Sequence, residues 1–261
     1  MLILILMILM LALASANAEK QVIGDYIPVV YVLFGHTPKY LIVNIELASR
    51  NNPVVVLTDT PVDAAWKNGL EDKESKYDYD NQKVEFSIMD GNLTASATEF
   101  AKHYVHLSKD NSVGRKTHEL QNFQRWFILK DYMETHNIPH AFFGDGDTAV
   151  FSNMASAYQQ RSECDASIIT PGVGNNYSWV STGVATLWSR FAIADFCAFT
   201  QDVYRSKTPN FVDSLRIKQR QGSSVVDMSL LWLWWVSLSI SLRLKALFLY
   251  TAVLDSSCVL L

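Results

Sequence analysis

No phosphate-cradling glycine signature occurs in the sequence. Neither G-x-G-x-x-G nor G-x-x-x-x-G-K-[ST] is present, which argues against dinucleotide and P-loop sites. There is no run of Lys or Arg, and 22 basic against 26 acidic side chains leave a formal charge of -4. Electrostatics therefore give no case for a nucleic-acid partner. The three cysteines, Cys164, Cys197 and Cys258, are too few for a zinc knuckle, and their odd number leaves at least one thiol unpaired within the chain. Cys164 and Cys197 read as small apolar core residues. What is plentiful is apolar: 49% of the 261 residues are hydrophobic and 18% charged, the balance of one compact globular domain with a sizeable core.

The first residues have little polarity and no basic side chain. Met1 to Leu13 is almost wholly Leu, Ile and Met, and Ala14-Ser15-Ala16-Asn17-Ala18 follows. An apolar stretch ending in Ala-x-Ala reads as a signal peptide cleaved after Ala18. It is short of the roughly 20 apolar residues a bilayer span needs. With no basic residue ahead of the apolar run, a short signal anchor that tethers the protein to the membrane stays open. Two sequons, Asn92-Leu93-Thr94 and Asn176-Tyr177-Ser178, are compatible with passage through a lumen. The expected setting is the secretory pathway: the Golgi or endoplasmic-reticulum lumen, or outside the cell.

Ile27 to Phe34 reads as a fully buried strand, Lys39 to Arg50 as a helix with apolar residues at helical spacing, and Val54 to Leu57 as a second buried strand. Strand, helix and strand over this length make a βαβ unit with parallel pairing. Ligands of such sheets lie beyond the carboxyl ends of the strands. That places Gly35, His36 and Thr37 after the first strand, and Asp59 after the second, as candidates. Val84 to Met89 reads as a third strand, and Thr94 to Leu107 as a helix. His103 and His106 on it are expected to be solvated, since no carboxylate or cysteine partner is obvious. Glu119 to His136 is the strongest helix, with Leu120, Phe123, Phe127 and Met133 on one face. Arg125 is embedded in it and needs a partner, either a carboxylate or a bound diphosphate, whose oxygens match the guanidinium fork.

His140 to Phe151, HAFFGDGDTAVF, is the stretch on which the rest is organised. Apolar runs, Ala141-Phe142-Phe143 and Ala149-Val150-Phe151, flank Gly144-Asp145-Gly146-Asp147. Short apolar runs bounded by Gly and Asp read as buried strands ending at a polar mouth. Two carboxylates one residue apart can reach one hard cation, and Mg²⁺ or Mn²⁺ so held completes its shell with water and substrate phosphates. Further on, Cys164 to Thr170 reads as a strand, and Ser181-Thr182-Gly183 as either a turn or a holder of sugar hydroxyls. A helix is expected from Leu187 to Tyr204. The apolar stretch from Leu230 to Ile240 is too short for a membrane span, and the residues after it show no legible pattern.

At HAFFGDGDTAVF the chain resembles the GT-A class of nucleotide-sugar-dependent glycosyltransferases. VVYVLFG, VVVLTD and FQRWFILKDYM precede this stretch in the expected order, and STGVATLW and VVDMSLL follow it. The resemblance implies a Rossmann-like α/β fold with a mostly parallel sheet over residues 19–231, and an apolar tail over 232–261. It implies Mn²⁺ or Mg²⁺ bridging the diphosphate of a nucleotide-sugar donor, with a glycan or glycoprotein as acceptor. Asp147 would then be the direct metal ligand, and Asp145 would touch the donor ribose or a metal-bound water. Gly35, His36, Thr37 and Asp59 would face the base, Arg125 the diphosphate, and Asp227 the acceptor, as a general base in an inverting enzyme. The sequence departs from the class in one respect: all six His lie at or before His140, where many members supply a late His ligand. This implies an altered or shortened C-terminus and leaves room for a silent relative that binds without turnover.

Overall fold

The computed structural model of the chain describes residues 26–35, 37–61, 84–108, 110–160, 164–168, 185–205, 225–246 and 258–259. Val29–Leu33 (β1) and Val54–Thr58 (β2) pair in parallel, Val29 opposite Val54 through Leu33 opposite Thr58, with Tyr40–Ser49 (α1) as the crossover. Val84–Ile88 (β3) adds to β2 in parallel, and Ala95–Ala101 (α2) and Val113–Thr135 (α3) follow. His140–Gly144 (β4) then pairs with the free side of β1, again in parallel. After Met154–Gln159 (α4) come Ala166–Ser167 (β5), Ala185–Ser189 (β6), Arg190–Tyr204 (α5), Asp227–Ala246 (α6) and Cys258–Val259 (β7). The sheet order is β3-β2-β1-β4-β6-β5-β7. The β3-β2-β1-β4 half is parallel, whereas β6 runs antiparallel to β4, β5 to β6 and β7 to β5. The fold is mixed α/β with a Rossmann-like parallel half.

Strand alternation divides the core in two. Val30, Val32, Val55 and Leu57 point to the face covered by α3, with Phe100, Trp126, Phe127, Trp188, Phe196 and Trp234. Val29, Tyr31, Val54 and Val56 point to the opposite face, against Leu41, Ile45, Val150 and Met154. Both faces of these strands are therefore apolar, which is why they read as continuous hydrophobic runs.

Several elements differ from their sequence reading. The longest helix starts at Val113 rather than Glu119, where the Ser112 hydroxyl accepts from Arg115 N at 3.4 Å. The helix before it ends at Ala101, short of Leu107. Ala149 to Phe151 is not a strand but irregular chain, of which Val150 packs in the cluster of Leu41 and Ile45 on α1. Leu187 opens no helix: Thr186 and Trp188 are buried and their neighbours less so, a period of two. Ser189 then ends the strand and caps α5, accepting from Ala192 N at 3.1 Å. The apolar Leu230–Ile240 stretch lies within one helix that continues through Arg243 and Lys245. Among the described residues no helix is long and apolar enough to cross a membrane. Cys164 and Cys197 are both buried in the core, as expected; Cys197 is a free thiol, whereas Cys164 is also disulfide-bonded.

His140, at the start of β4, has a consequence for stability. Its Nδ1 is buried without a hydrogen-bond partner among the described residues, and its ring centroid lies 4.4 Å from that of Tyr158. Burial lowers its pKa below the ordinary 6.5, with Asp165 opposing in part. The unfolded chain then binds a proton here more readily than the native one, so stability is lost as pH falls below about 6.5. Melting temperature should drop between about pH 7.5 and pH 5, and His140→Phe should flatten that drop. The difference should be about 2–4 °C per kcal/mol of linkage. Thermal melts of the two proteins across this range check it, and identical slopes would contradict it.

Candidate functional site

The parallel strands β1, β2 and β4 end at the same edge of the sheet, the edge where α/β folds take ligands. At the exit of β1, Gly35 adopts φ 73°, a left-handed backbone that favours glycine. Two residues after β2 bracket it. Gly35 N donates to Asp59 Oδ1 at 2.7 Å, and the Thr60 hydroxyl donates to Gly35 O at 3.0 Å. Asp59 is exposed, so its carboxylate orders this turn while facing solvent.

At the exit of β4 the chain makes a tight turn, closed by Thr148 N donating to Asp145 O at 2.8 Å. Gly144 eases the close approach there: a Cβ would lie 3.1 Å from the Tyr31 ring and 3.4 Å from Thr148 Cβ, so the ring would have to shift. The turn is held from below. Tyr31 Oη donates to Thr148 O at 3.1 Å, and Asn44 Nδ2, on α1, donates to Gly146 O at 2.8 Å. The segment that follows is tied to the end of α1 by amide side chains. Asn51 Nδ2 donates to Phe151 O, Asn52 Nδ2 to Ser152 O, and Asn52 Oδ1 accepts from Met154 N at 2.7 Å.

Above the turn sits Arg125 of α3. One Nη donates to Asp145 Oδ1 in a very short contact, and the other donates to Asp227 Oδ2 at 2.8 Å. Trp126 Nε1 donates to the same Asp227 oxygen at 2.9 Å. The guanidinium lies 5.2 Å from the Trp126 ring centroid and 5.3 Å from that of Phe143, within cation–π range. Its Nε is buried and has no partner among the described residues. The side chains are 12% exposed for Arg125, 25% for Asp145 and 2% for Asp227. Burial opposes the charge of Arg125, but Asp227 and Asp145 outweigh it and raise its pKa. For Asp145, burial is the largest influence. With Asp227 and Asp147 it outweighs Arg125, and the carboxyl titrates above its ordinary value.

The structure thus brings together Arg125, Asp145 and Asp227, which are far apart in sequence, and joins Gly35 to Asp59. Asp147 is exposed on the Asp145 turn, and Thr37 lies between β1 and α1. His36 and Ser181, Thr182 and Gly183 lie outside the described residues. Sequence reasoning missed Asn44, Trp126 and Phe143. A polar Asn inside the apolar helix YLIVNIELAS was a legible signal for the first; the other two read as core aromatics. His103 and His106 do have carboxylate partners, contrary to expectation: His103 lies 3.4 Å from Glu99 and His106 3.3 Å from buried Glu119. Among the described residues, no group of three or more His, Cys, Asp or Glu could hold a metal ion.

No protein-family model matches the chain, and no curated protein matches it. Among solved structures it is similar to HddC from Yersinia pseudotuberculosis, at 13% identity and a TM-score of 0.38, over 65% of this chain and 79% of that one. The same protein complexed with GMP-PN gives 12% identity and a TM-score of 0.36 over the same shares. At this similarity neither fold nor activity transfers to the present chain.

Asp227 carries the most concentrated structural role in the site. Asp227→Ala takes from a buried guanidinium one of its two carboxylates and strands an indole N–H, so it should cost up to about 3–5 kcal/mol of stability, the range for breaking a buried pair. Asp227→Asn, which still accepts hydrogen bonds, should cost less. Chemical denaturation of both variants checks the order, and equal losses would contradict it.

Proposed function

We propose that the chain is a metal-dependent glycosyltransferase of the GT-A type. It moves a hexose from a nucleoside diphosphate sugar to a hydroxyl of a glycan or protein in the secretory pathway. The observation that carries this reading is the Asp145-Gly146-Asp147 turn, fixed at the carboxyl end of the central parallel strand β4 and backed by Arg125. Carboxylates at the first and third turn positions suit Mn²⁺ or Mg²⁺, which take one or two carboxylates and leave the remaining positions to water and phosphate oxygens. The donor set fits that limited part. Asp147 and the Asp145 oxygen that Arg125 leaves open are the donors, while Asp227 is engaged by Arg125 and Trp126. When bound, the ion would neutralise charge on the departing diphosphate.

The chain's own residues supply position and charge. Arg125 fixes Asp145, Asn44 fixes the backbone of the turn, and Gly35 with Asp59 forms the polar rim beside it where a base would lie. Asp227 is better suited to positioning than to proton abstraction: at 2% exposure it faces Arg125 and Trp126. A base must come within about 3 Å of the acceptor hydroxyl. The same burial favours a second reading, a silent GT-A-like protein that binds donor or glycan without turnover. Two features support the lumenal setting: Cys164 is disulfide-bonded, as befits an oxidising compartment, and sequon residue Asn92 is exposed.

Calorimetric titration with UDP and GDP, with and without Mn²⁺, tests the reading. Mn²⁺-dependent nucleotide binding is expected, and Asp147→Ala should weaken it about 10–100-fold or more. Folded wild-type protein that takes neither nucleotide would overturn it. Binding without sugar release from any donor would select the silent relative.

A further inference from the structure

We infer that Arg125 is the resident counter-cation of the Asp145 carboxylate, which disfavours a divalent ion alone and favours the ion with a nucleoside diphosphate. This rests on the nucleotide–metal site proposed above. Two observations carry it: where the guanidinium is pinned, and what it leaves unsatisfied.

Arg125 is fixed from several sides. Asp227 grips one Nη at 2.8 Å, the Trp126 and Phe143 rings lie against the guanidinium, and its backbone belongs to the 23-residue helix α3. Asp227 is in turn fixed by Trp126 and by its place in the first turn of α6. Asp145, by contrast, follows the strand in a turn and is 25% exposed. Of the two partners, Asp145 is the one able to turn toward a ligand while the guanidinium stays.

One Asp145 oxygen is therefore already taken by a positive group. A divalent ion arriving alone must share that carboxylate with a guanidinium that cannot withdraw, in a place largely shielded from solvent screening. A diphosphate changes the balance. Its oxygens ligate the ion and bring negative charge beside the guanidinium, whose buried Nε has no protein acceptor among the described residues. Ion and diphosphate then enter as a pair, and Arg125 sets how strongly each requires the other.

The test measures Mn²⁺ affinity, from the electron paramagnetic resonance signal of the free ion, with and without saturating UDP or GDP. The proteins are wild type, Arg125→Lys, and the double variant Arg125→Met/Asp227→Asn, which removes the guanidinium together with the charge of its most buried partner; far-UV circular dichroism checks their folding. In wild type, nucleotide should tighten Mn²⁺ at least about tenfold, equivalent to about 1.4 kcal/mol. In the double variant Mn²⁺ alone should bind at least about tenfold tighter than in wild type, and the nucleotide effect should shrink by a similar factor. Arg125→Lys, which keeps the charge, should behave as wild type toward Mn²⁺ alone. Equal affinity of wild type for Mn²⁺ with and without nucleotide overturns the inference, whatever the variants do. So does an unchanged nucleotide effect across folded variants, which leaves the proposed site standing. If wild type binds no nucleotide at saturating Mn²⁺, the proposed function and this inference fall together.

Discussion

A guanidinium taken out of water must find anions, and that requirement ties the two ends of this fold together. Arg125 lies on the apolar side of α3, where its helix packs on the sheet, and cannot reach bulk solvent with more than a small part of its surface. Its two carboxylates come from the exit of β4 and the first turn of α6. The pairing fixes where α6 starts, while Val225 N, donating to Leu107 O at 2.9 Å, holds the approach to that helix. An acidic residue in a first helical turn is also favoured by the helix dipole. The segment carrying Asp227 thus belongs to the site although it is far from β4 in sequence.

The opposite face of the turn obeys a different constraint. After β4 the chain must reverse without regular hydrogen bonding, and each buried backbone group needs a partner. Tyr31, Asn44, Asn51 and Asn52 provide them from β1 and from α1 with the residues that end it. The asparagines that end the helix therefore also shape the exit of β4. Arg125 from above and this polar set from below hold the Asp145–Thr148 turn between them. The backbone of the turn is thus held from both sides.

Much of the parallel half was legible in the sequence, because β1 and β2 are buried on both faces and, like the partly buried β4, read as short apolar runs. The βαβ unit and the turn at Asp145 followed from Gly, Pro and Asp punctuation. The antiparallel half was less legible. β6 is only Ala185–Ser189 and passes into α5 with no Gly or Pro between them. In such a short run, Leu187 and Trp188 fit a helix as well as a strand. The start of α3 was missed because Val113 to His118 is polar, and its helical state depends on the Ser112 cap more than on an apolar face. Within the site, the need of Arg125 for a partner was readable. Its choice of both Asp145 and Asp227 was not, since pairing across such a separation is set by the sheet order. Trp126 and Phe143 carry no local sign that they also flank a cation.

The central claim is that the Asp145-Gly146-Asp147 turn is where cation and nucleotide meet. The most direct measurement is anomalous diffraction from crystals grown with Mn²⁺ and UDP or GDP. The account expects a Mn²⁺ peak bound by Asp147 and bridged to the diphosphate, with Arg125 still on Asp227. Nucleotide bound elsewhere, or at this edge with no Mn²⁺ against the turn, would contradict it.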